Sequence, residues 1–194
     1  MQTTLVKEKF IKVVQKIILL VFFFISFSKH SYSKEIQKII QKLDETKNLK
    51  FDFIQTFDRS TETGNCILEF PHKFLCHFNE FNRKKILIDN NILYLVDELN
   101  NKSSRDITGT VFLFLTDKNE IIKALKEIND YKINENSISV KLNFSQNEII
   151  NLYFDQKTYL IHGWEVMNYD GTFLEFNLKN ISLNSQNIGK FTID

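Results

Sequence analysis

The sequence predicts a mainly β protein of the α+β class, built as a single antiparallel sheet with helices on its apolar face. Three observations predict this class. Several short segments alternate apolar with polar residues, as half-buried strands do. Residues that favour turns separate these segments, most clearly Asp170 and Gly171, because a short hairpin turn requires positive φ. Two other segments repeat apolar residues at helical spacing.

The strands are expected where the alternation is clearest. Residues 49–57 alternate Leu49, Phe51 and Phe53 with polar neighbours, and residues 138–144, 148–155 and 172–183 continue the same pattern. Because one side of each segment is apolar, we expect all of them to face one common core.

Two helices are expected to cover this apolar face. The first spans residues 34–47, and the second spans residues 117–130 after a polar loop at 99–110 and a short apolar stretch. A loop and helix inserted in the middle of a sheet predict a lid, and an ordinary crossover helix packed on the core is the alternative. The predicted lid residues are Val111, Phe112, Phe114, Ile121, Ile122 and Leu125.

The first 33 residues predict a secretory signal peptide. A basic leader precedes the apolar run of residues 17–28, and the small residues Ser31 and Ser33 follow it. The apolar run is shorter than the roughly 20 residues that cross a bilayer. We therefore expect cleavage after Ser33 and a periplasmic domain of residues 34–194, with an uncleaved inner-membrane anchor as the alternative.

Composition and motifs exclude several functions. The formal net charge is +1, but five Lys and one Glu lie in the first 33 residues, so the remainder carries a net charge of −3. A mildly acidic domain without a basic patch does not predict nucleic-acid binding. The sequence contains no nucleophile elbow, no zinc-binding His-Glu-x-x-His and no phosphate-binding glycine loop. We therefore expect a protein that is not an enzyme and has no cofactor.

The two cysteines lie at equal distances from the single proline, Pro71. A hairpin centred there places Cys66 opposite Cys76 on a wholly apolar face. Directly opposed cysteines in an oxidising compartment can form a disulfide, and two reduced cysteines packed as small apolar residues are the alternative. A metal site is not expected, because His77 falls on the other face and zinc requires closely spaced ligands.

The order of these elements resembles that of a known family. The first strand carries Phe53-Ile54-Gln55, and a hairpin with the pattern Gly-x-apolar and Pro-x-x-Phe follows at residues 64–74. Residues 88–94 contain Asp-Asn-x-x-Leu-Tyr, and residues 170–180 contain Asp-Gly followed by Phe-x-Leu-x-Asn. This order is similar to that of the periplasmic outer-membrane lipoprotein carriers, the LolA family, over nearly all of residues 34–194.

The resemblance implies a fold and a function. It implies an incomplete, or half, β-barrel whose concave apolar face receives the acyl chains of a lipoprotein beneath a helical lid. The partners would be the acylated lipoprotein cargo, an inner-membrane lipoprotein-releasing ABC transporter and an outer-membrane acceptor, and the carrier would be a monomer. The alternative is a periplasmic regulatory module on the same fold that senses a lipid or a protein. The residues expected to line the cavity are Phe53, Leu68, Phe70, Phe74, Phe78, Leu142, Phe144, Leu152, Phe154, Trp164, Leu174 and Phe176.

The sequence departs from the family pattern at the hairpin proline. Family members typically carry an inward-facing Arg directly before this proline, where it helps to hold the lid closed, whereas this chain has Phe70 there. The polar contact is therefore absent or relocated, and we expect apolar contacts from residues 111–115 to hold the lid.

Overall fold

The computed structural model describes residues 33–79, 84–128, 130–144, 148–167 and 170–193. The predicted signal peptide, apart from Ser33, lies outside the described residues. The helices within them are α1 (Lys34–Glu45), α2 (Val111–Leu115) and α3 (Lys118–Glu127). The strands are β1 (Asn48–Phe57), β2 (Ser60–Glu69), β3 (Lys73–Phe78), β4 (Lys85–Asp89), β5 (Ile92–Val96), β6 (Lys102–Asp106), β7 (Tyr131–Ile133), β8 (Ser137–Asn143), β9 (Ile149–Asp155), β10 (Ile161–Met167) and β11 (Phe173–Leu183).

The strands form one 11-stranded antiparallel sheet in the order β6-β5-β4-β3-β2-β1-β11-β10-β9-β8-β7. Neighbours in the sheet are consecutive in the chain except at the centre, where β1 pairs with β11. The first and last strands thus join two meanders. Because the edge strands β6 and β7 do not pair with each other, the sheet is curled but not closed, which confirms the predicted fold class.

The sequence predicts that the polar segment at residues 99–110 is a loop. This prediction is wrong for part of the segment, because it contains β6, which pairs with β5. Every residue of β6 is exposed. The strand therefore lacks the alternation by which the other strands are predicted. The helices predicted at residues 34–47 and 117–130 are slightly too long. In the structure α1 ends at Glu45 and α3 ends at Glu127, and β7 begins at Tyr131.

Helices α1 and α3 contact each other, and each buries one apolar side. Lys118, at the start of α3, donates from Nζ to the carbonyl oxygens of Asp44 and Thr46, at 2.8 and 3.0 Å. These carbonyls lie at the end of α1, where helical acceptors lack partners within the helix. The two helices are therefore joined by polar as well as apolar contacts.

The half of the sheet formed by β8 and β9 is fully covered. Five of its inward side chains have no exposed surface, and they are Ile138, Val140, Ile150, Leu152 and Phe154. Burying five such side chains contributes about 1.5–3 kcal/mol each. This half therefore forms a solid core, and any cavity must lie elsewhere on the sheet.

Candidate functional site

An apolar cavity of about 50 Å³ lies between helix α2 and the central strands of the sheet. Of its lining residues, all but Gln55 and Thr116 are apolar, and they come from six strands and the α2 segment. The lining residues are Gln55, Leu68, Phe74, Cys76, Phe78, Ile86, Ile88, Phe112, Leu115, Thr116, Trp164, Leu174 and Phe176.

The cavity is smaller than a typical ligand pocket. Its volume of about 50 Å³ suits only occupants of the size of a few water molecules. Pockets that hold small-molecule ligands usually have about 300–1,000 Å³. A ligand of ordinary size could therefore enter only if the residues that cover the cavity moved.

The β2–β3 hairpin forms one wall of the cavity and has the register that the sequence predicts. Cys66 lies opposite Cys76, and Leu68 lies opposite Phe74. The two cysteines are joined by a disulfide, with their Cα atoms 4.2 Å apart, and both are buried. Because Cys76 lines the cavity, this covalent link holds two strands of the wall together.

Aromatic rings form the centre of the cavity floor. The ring of Phe176 stacks on Phe53 on one side and on Trp164 on the other, with centroid distances of 4.8 and 4.4 Å. Phe53 also meets the edge of Phe78 at 5.1 Å. Gly64 pairs with both of these phenylalanines, and a Cβ atom there would lie 2.6 Å from Phe53 Cε1 and 2.1 Å from the carbonyl oxygen of His77. The floor therefore requires glycine at this position.

Apolar contacts hold α2 over the cavity, as the sequence predicts. Phe112 and Leu113 pack against a buried cluster formed by Ile88, Leu93 and Ile107. Since Phe112 also lines the cavity, movement of α2 would separate this side chain from both the cluster and the cavity.

Polar contacts also hold α2, and these are at the tip of the β2–β3 hairpin. The backbone N–H of His72 donates to the carbonyl oxygen of Thr116 at 2.9 Å, and His72 Nε2 lies 3.3 Å from Asp117 Oδ2. The two side chains are 28% and 18% exposed. These contacts join the hairpin tip to the residues that directly follow α2.

The structure places the predicted cavity residues in three environments. Those that line the cavity are Leu68, Phe74, Phe78, Trp164, Leu174 and Phe176. Those in the packed core are Phe53, Leu142, Leu152 and Phe154, the last three in the half of the sheet already filled. The remaining two lie near the hairpin tip and α2: Phe70 is partly exposed beside Pro71, and the ring of Phe144 lies 5.4 Å from that of Phe114.

The predicted lid residues are likewise divided between α2 and α3. Phe112 faces the cavity, Val111 is buried, and Phe114 contacts Phe144. The residues on α3 are buried as in a crossover helix packed on the core, and they are Ile121, Ile122 and Leu125. Helix α2 covers the cavity through Phe112 and Leu115, and we call it the lid helix below.

Several lining residues were not predicted. Ile86 and Ile88 face the cavity because they pair with Cys76 and Phe74, and this parity could have been extended along the next strand. Gln55 continues the inward series of Phe51 and Phe53, so its position was also available from alternation. No local pattern indicates the contact of His72 with Asp117, because it depends on the tertiary structure.

The outer face of the sheet carries a polar network. Glu165 accepts hydrogen bonds from the Tyr153 hydroxyl at 3.2 Å and from Asn151 Nδ2 at 3.1 Å. Burial, together with the negative charges of Glu165 and Glu175, raises the pKa of Tyr153 to about 12.

Among the described residues, no group of three or more His, Cys, Asp or Glu side chains could hold a metal ion. Helices of sufficient length and hydrophobicity to cross a membrane are also absent from this part of the chain.

Comparison with known proteins gives one family. Residues 44–194 match the family described as the outer membrane lipoprotein carrier protein LolA. No curated protein matches the sequence.

Solved structures share the fold at low sequence identity. MucB aligns with a TM-score of 0.50 at 10% identity, over 81% of this chain and 60% of that chain. The complex of MucA and MucB from Pseudomonas aeruginosa gives 0.48 at 11% identity, over 79% and 57%. LolA superfamily protein NE2245 from Nitrosomonas europaea aligns with a TM-score of 0.43 at 8% identity, over 81% of this chain and 97% of that protein. The Mycobacterium tuberculosis lipoprotein LppX gives 0.42 at 7% identity, over 80% and 96%. At 10% identity the similarity to MucB shows the fold alone.

Proposed function

Because the chain belongs to the LolA family of outer membrane lipoprotein carrier proteins, we propose that it shields the acyl chains of lipoproteins in the cavity beneath the lid helix. In this proposal it moves lipoproteins through the periplasm, from an inner-membrane ABC transporter to an outer-membrane acceptor. It acts by binding and release rather than by catalysis.

The observation that carries the proposal is the apolar cavity and its cover. Each methylene group removed from water contributes roughly 0.8 kcal/mol, so a lipid chain must be hidden during transfer. Eleven of the thirteen lining residues are apolar, which suits an acyl chain. The half of the sheet next to the cavity is solid, so the chain would enter by displacing the lid helix rather than by filling an open groove.

The disulfide supports this function by limiting which parts of the cavity move. It joins β2 to β3 in the wall, whereas the lid helix is held by side-chain packing and by the contacts of His72. Noncovalent contacts of this kind can be broken and re-formed on loading and release. The wall would then stay fixed while the lid helix moves.

A release assay tests the proposal. The purified protein is added to spheroplasts that display a newly synthesised outer-membrane lipoprotein, and the soluble fraction is examined for a one-to-one complex. We expect release by the wild type and at least a tenfold loss in Leu174→Glu, because an unpaired charge would stand in the apolar cavity. The matched control is Leu99→Glu, since Leu99 is 80% exposed and release should be unchanged.

The alternative function is a regulatory module that binds a protein or lipid as a signal. It is supported by the fold shared with MucB, which has been crystallised with MucA. If the folded wild type releases no lipoprotein while a known carrier does so in the same preparation, the carrier proposal is refuted and the regulatory function is favoured. Capture of a periplasmic protein domain by the wild type would then be the next measurement.

A further inference from the structure

The cavity contains a polar group whose orientation is fixed by its neighbours. Of the two polar lining residues, Thr116 uses its hydroxyl to donate to the carbonyl oxygen of Leu113 at 2.9 Å. Gln55 donates from Nε2 to Glu62 Oε2 at 3.0 Å. The second oxygen of Glu62 is paired with Lys84 Nζ. Of these two lining residues, Gln55 is therefore the one whose amide oxygen remains to bind a ligand.

The orientation of the Gln55 amide follows from the chemistry of its partner. An ionised carboxylate only accepts hydrogen bonds, so the NH₂ group of Gln55 has to face Glu62. Lys84 holds the carboxylate from the other side and itself lies over the ring of Phe78, 4.2 Å from its centroid. This arrangement leaves Oε1 of Gln55 as the atom that can contact a ligand, and Oε1 has no hydrogen-bond donor among the described residues.

Gln55 also lies in register with the aromatic floor. On one side it pairs with Glu62 across β2, and on the other with Phe176, which in turn pairs with Trp164. A single acceptor oxygen is thus placed at the end of an apolar row. Such a group favours a ligand that is apolar along its length and has one N–H or O–H donor beside the chain.

We propose that Gln55 Oε1 accepts a hydrogen bond from the amide N–H of an N-acylated cargo, so that the cavity prefers amide-linked to ester-linked acyl chains. An ester linkage has acceptors only and would leave this oxygen opposite another acceptor. The proposal rests on the proposed function, because it assumes that acyl chains occupy the cavity. Glu62 is a positioning residue here, since it acts on the ligand through Gln55.

The test uses two synthetic lipopeptides that differ at one atom. Both carry a palmitoyl chain and a dansyl group, and the chain is attached through an amide N–H in one and through an ester oxygen in the other. Trp164 is the single tryptophan of the chain and lines the cavity, so energy transfer from its indole to the dansyl group reports binding. We expect the wild type to bind the amide probe about three- to tenfold more tightly, as one hydrogen bond allows.

Variants separate the hydrogen bond from packing. Gln55→Met keeps the length of the side chain without the oxygen, and it should weaken binding of the amide probe to the level of the ester probe while leaving the ester probe unchanged. Glu62→Gln allows the Gln55 amide to turn and should reduce the preference. Gln41→Met, on the exposed side of α1, is the matched control and should keep it.

The outcomes distinguish this proposal from the proposed function. If the wild type binds both probes equally, or if Gln55→Met weakens both to the same extent, acyl binding stands and the amide preference is refuted. If the wild type binds neither probe, both the amide preference and the acyl-carrier function are refuted. Circular dichroism and unfolding curves show that each variant is folded before its affinities are compared.

Discussion

Replacing Asp117 by serine should make the cavity easier to open. Asp117 has two roles: Oδ1 accepts from the backbone N–H of Asn119 at 2.9 Å and caps α3, while Oδ2 lies 3.3 Å from His72 Nε2. Serine is also a good N-cap, but it is too short to reach His72. The substitution Asp117→Ser therefore removes the contact with the hairpin tip and keeps the cap.

The expected size of the effect follows from the exposure of the pair. Partly exposed polar pairs contribute about 0.5–1 kcal/mol, and the side chains of His72 and Asp117 are 28% and 18% exposed. Losing the contact should raise the open population about two- to fivefold. Under the proposed function only the open state admits an acyl chain, so the apparent affinity for an acyl probe should rise by the same factor. The free energy of unfolding should fall by no more than about 1 kcal/mol.

The assay is titration with the dansyl-labelled palmitoyl lipopeptides, read by energy transfer from Trp164. His72→Asn breaks the same contact from the other side, and asparagine tolerates the positive φ of 62° at this position. The double variant should bind no more tightly than either single variant, because the same contact is removed twice. Asp170→Ser, in an exposed turn, is the control. Unchanged or weaker binding in both single variants would refute the idea that this contact holds the lid helix closed.

Three further predictions concern stability. Gly64→Ala should lower the free energy of unfolding by about 3 kcal/mol or more, because the added Cβ would meet the backbone and the Phe53 ring. Gly109→Ala should lower it by only about 1 kcal/mol, because Gly109 has a positive φ but open space around it. Urea denaturation of both variants measures the difference. Because the pKa of Tyr153 is raised to about 12, the folded state keeps this proton to a higher pH than the unfolded chain does, and the free energy of unfolding should fall between about pH 10 and 12. Tyr153→Phe should flatten this fall and should cost about 0.5–1.5 kcal/mol in the free energy of unfolding at neutral pH. The same alkaline decrease in stability in wild type and variant would contradict this prediction. Burial, and then the charge of Lys85, lower the pKa of His77 below 6.5. The unfolded chain therefore takes up the proton first, and the free energy of unfolding should decrease as the pH falls below 6.5. His77→Gln should reduce this decrease, and an imidazole pKa at or above 6.5 in an NMR titration would contradict the prediction.

Alternation and motif order were sufficient to predict the sheet and the family. Strands with a regular apolar face, such as β8 and β9, were predicted because each inward residue is apolar and each is buried in the structure. The resemblance to the LolA family was confirmed by the match over residues 44–194. The edge strand β6 was missed because all of its residues are exposed, so its pairing depends on backbone hydrogen bonds that leave no trace in hydrophobicity.

The site was less predictable than the fold because alternation identifies a face and not what covers it. Leu152 and Trp164 pair on neighbouring strands of the same face, yet one is fully buried and the other lines the cavity. The difference depends on where α1, α3 and the lid helix lie over the sheet. The contact of His72 with Asp117 depends in the same way on a distance that no sequence spacing encodes.

The connection between β6 and β7 joins the two outer edges of the curled sheet. Residues 107–130 form this connection and contain both the lid helix and α3. Both ends of this segment continue into strands that are paired in the sheet, β6 with β5 and β7 with β8. The length of this connection therefore limits how far the lid helix can move away from the sheet while both edge strands stay paired.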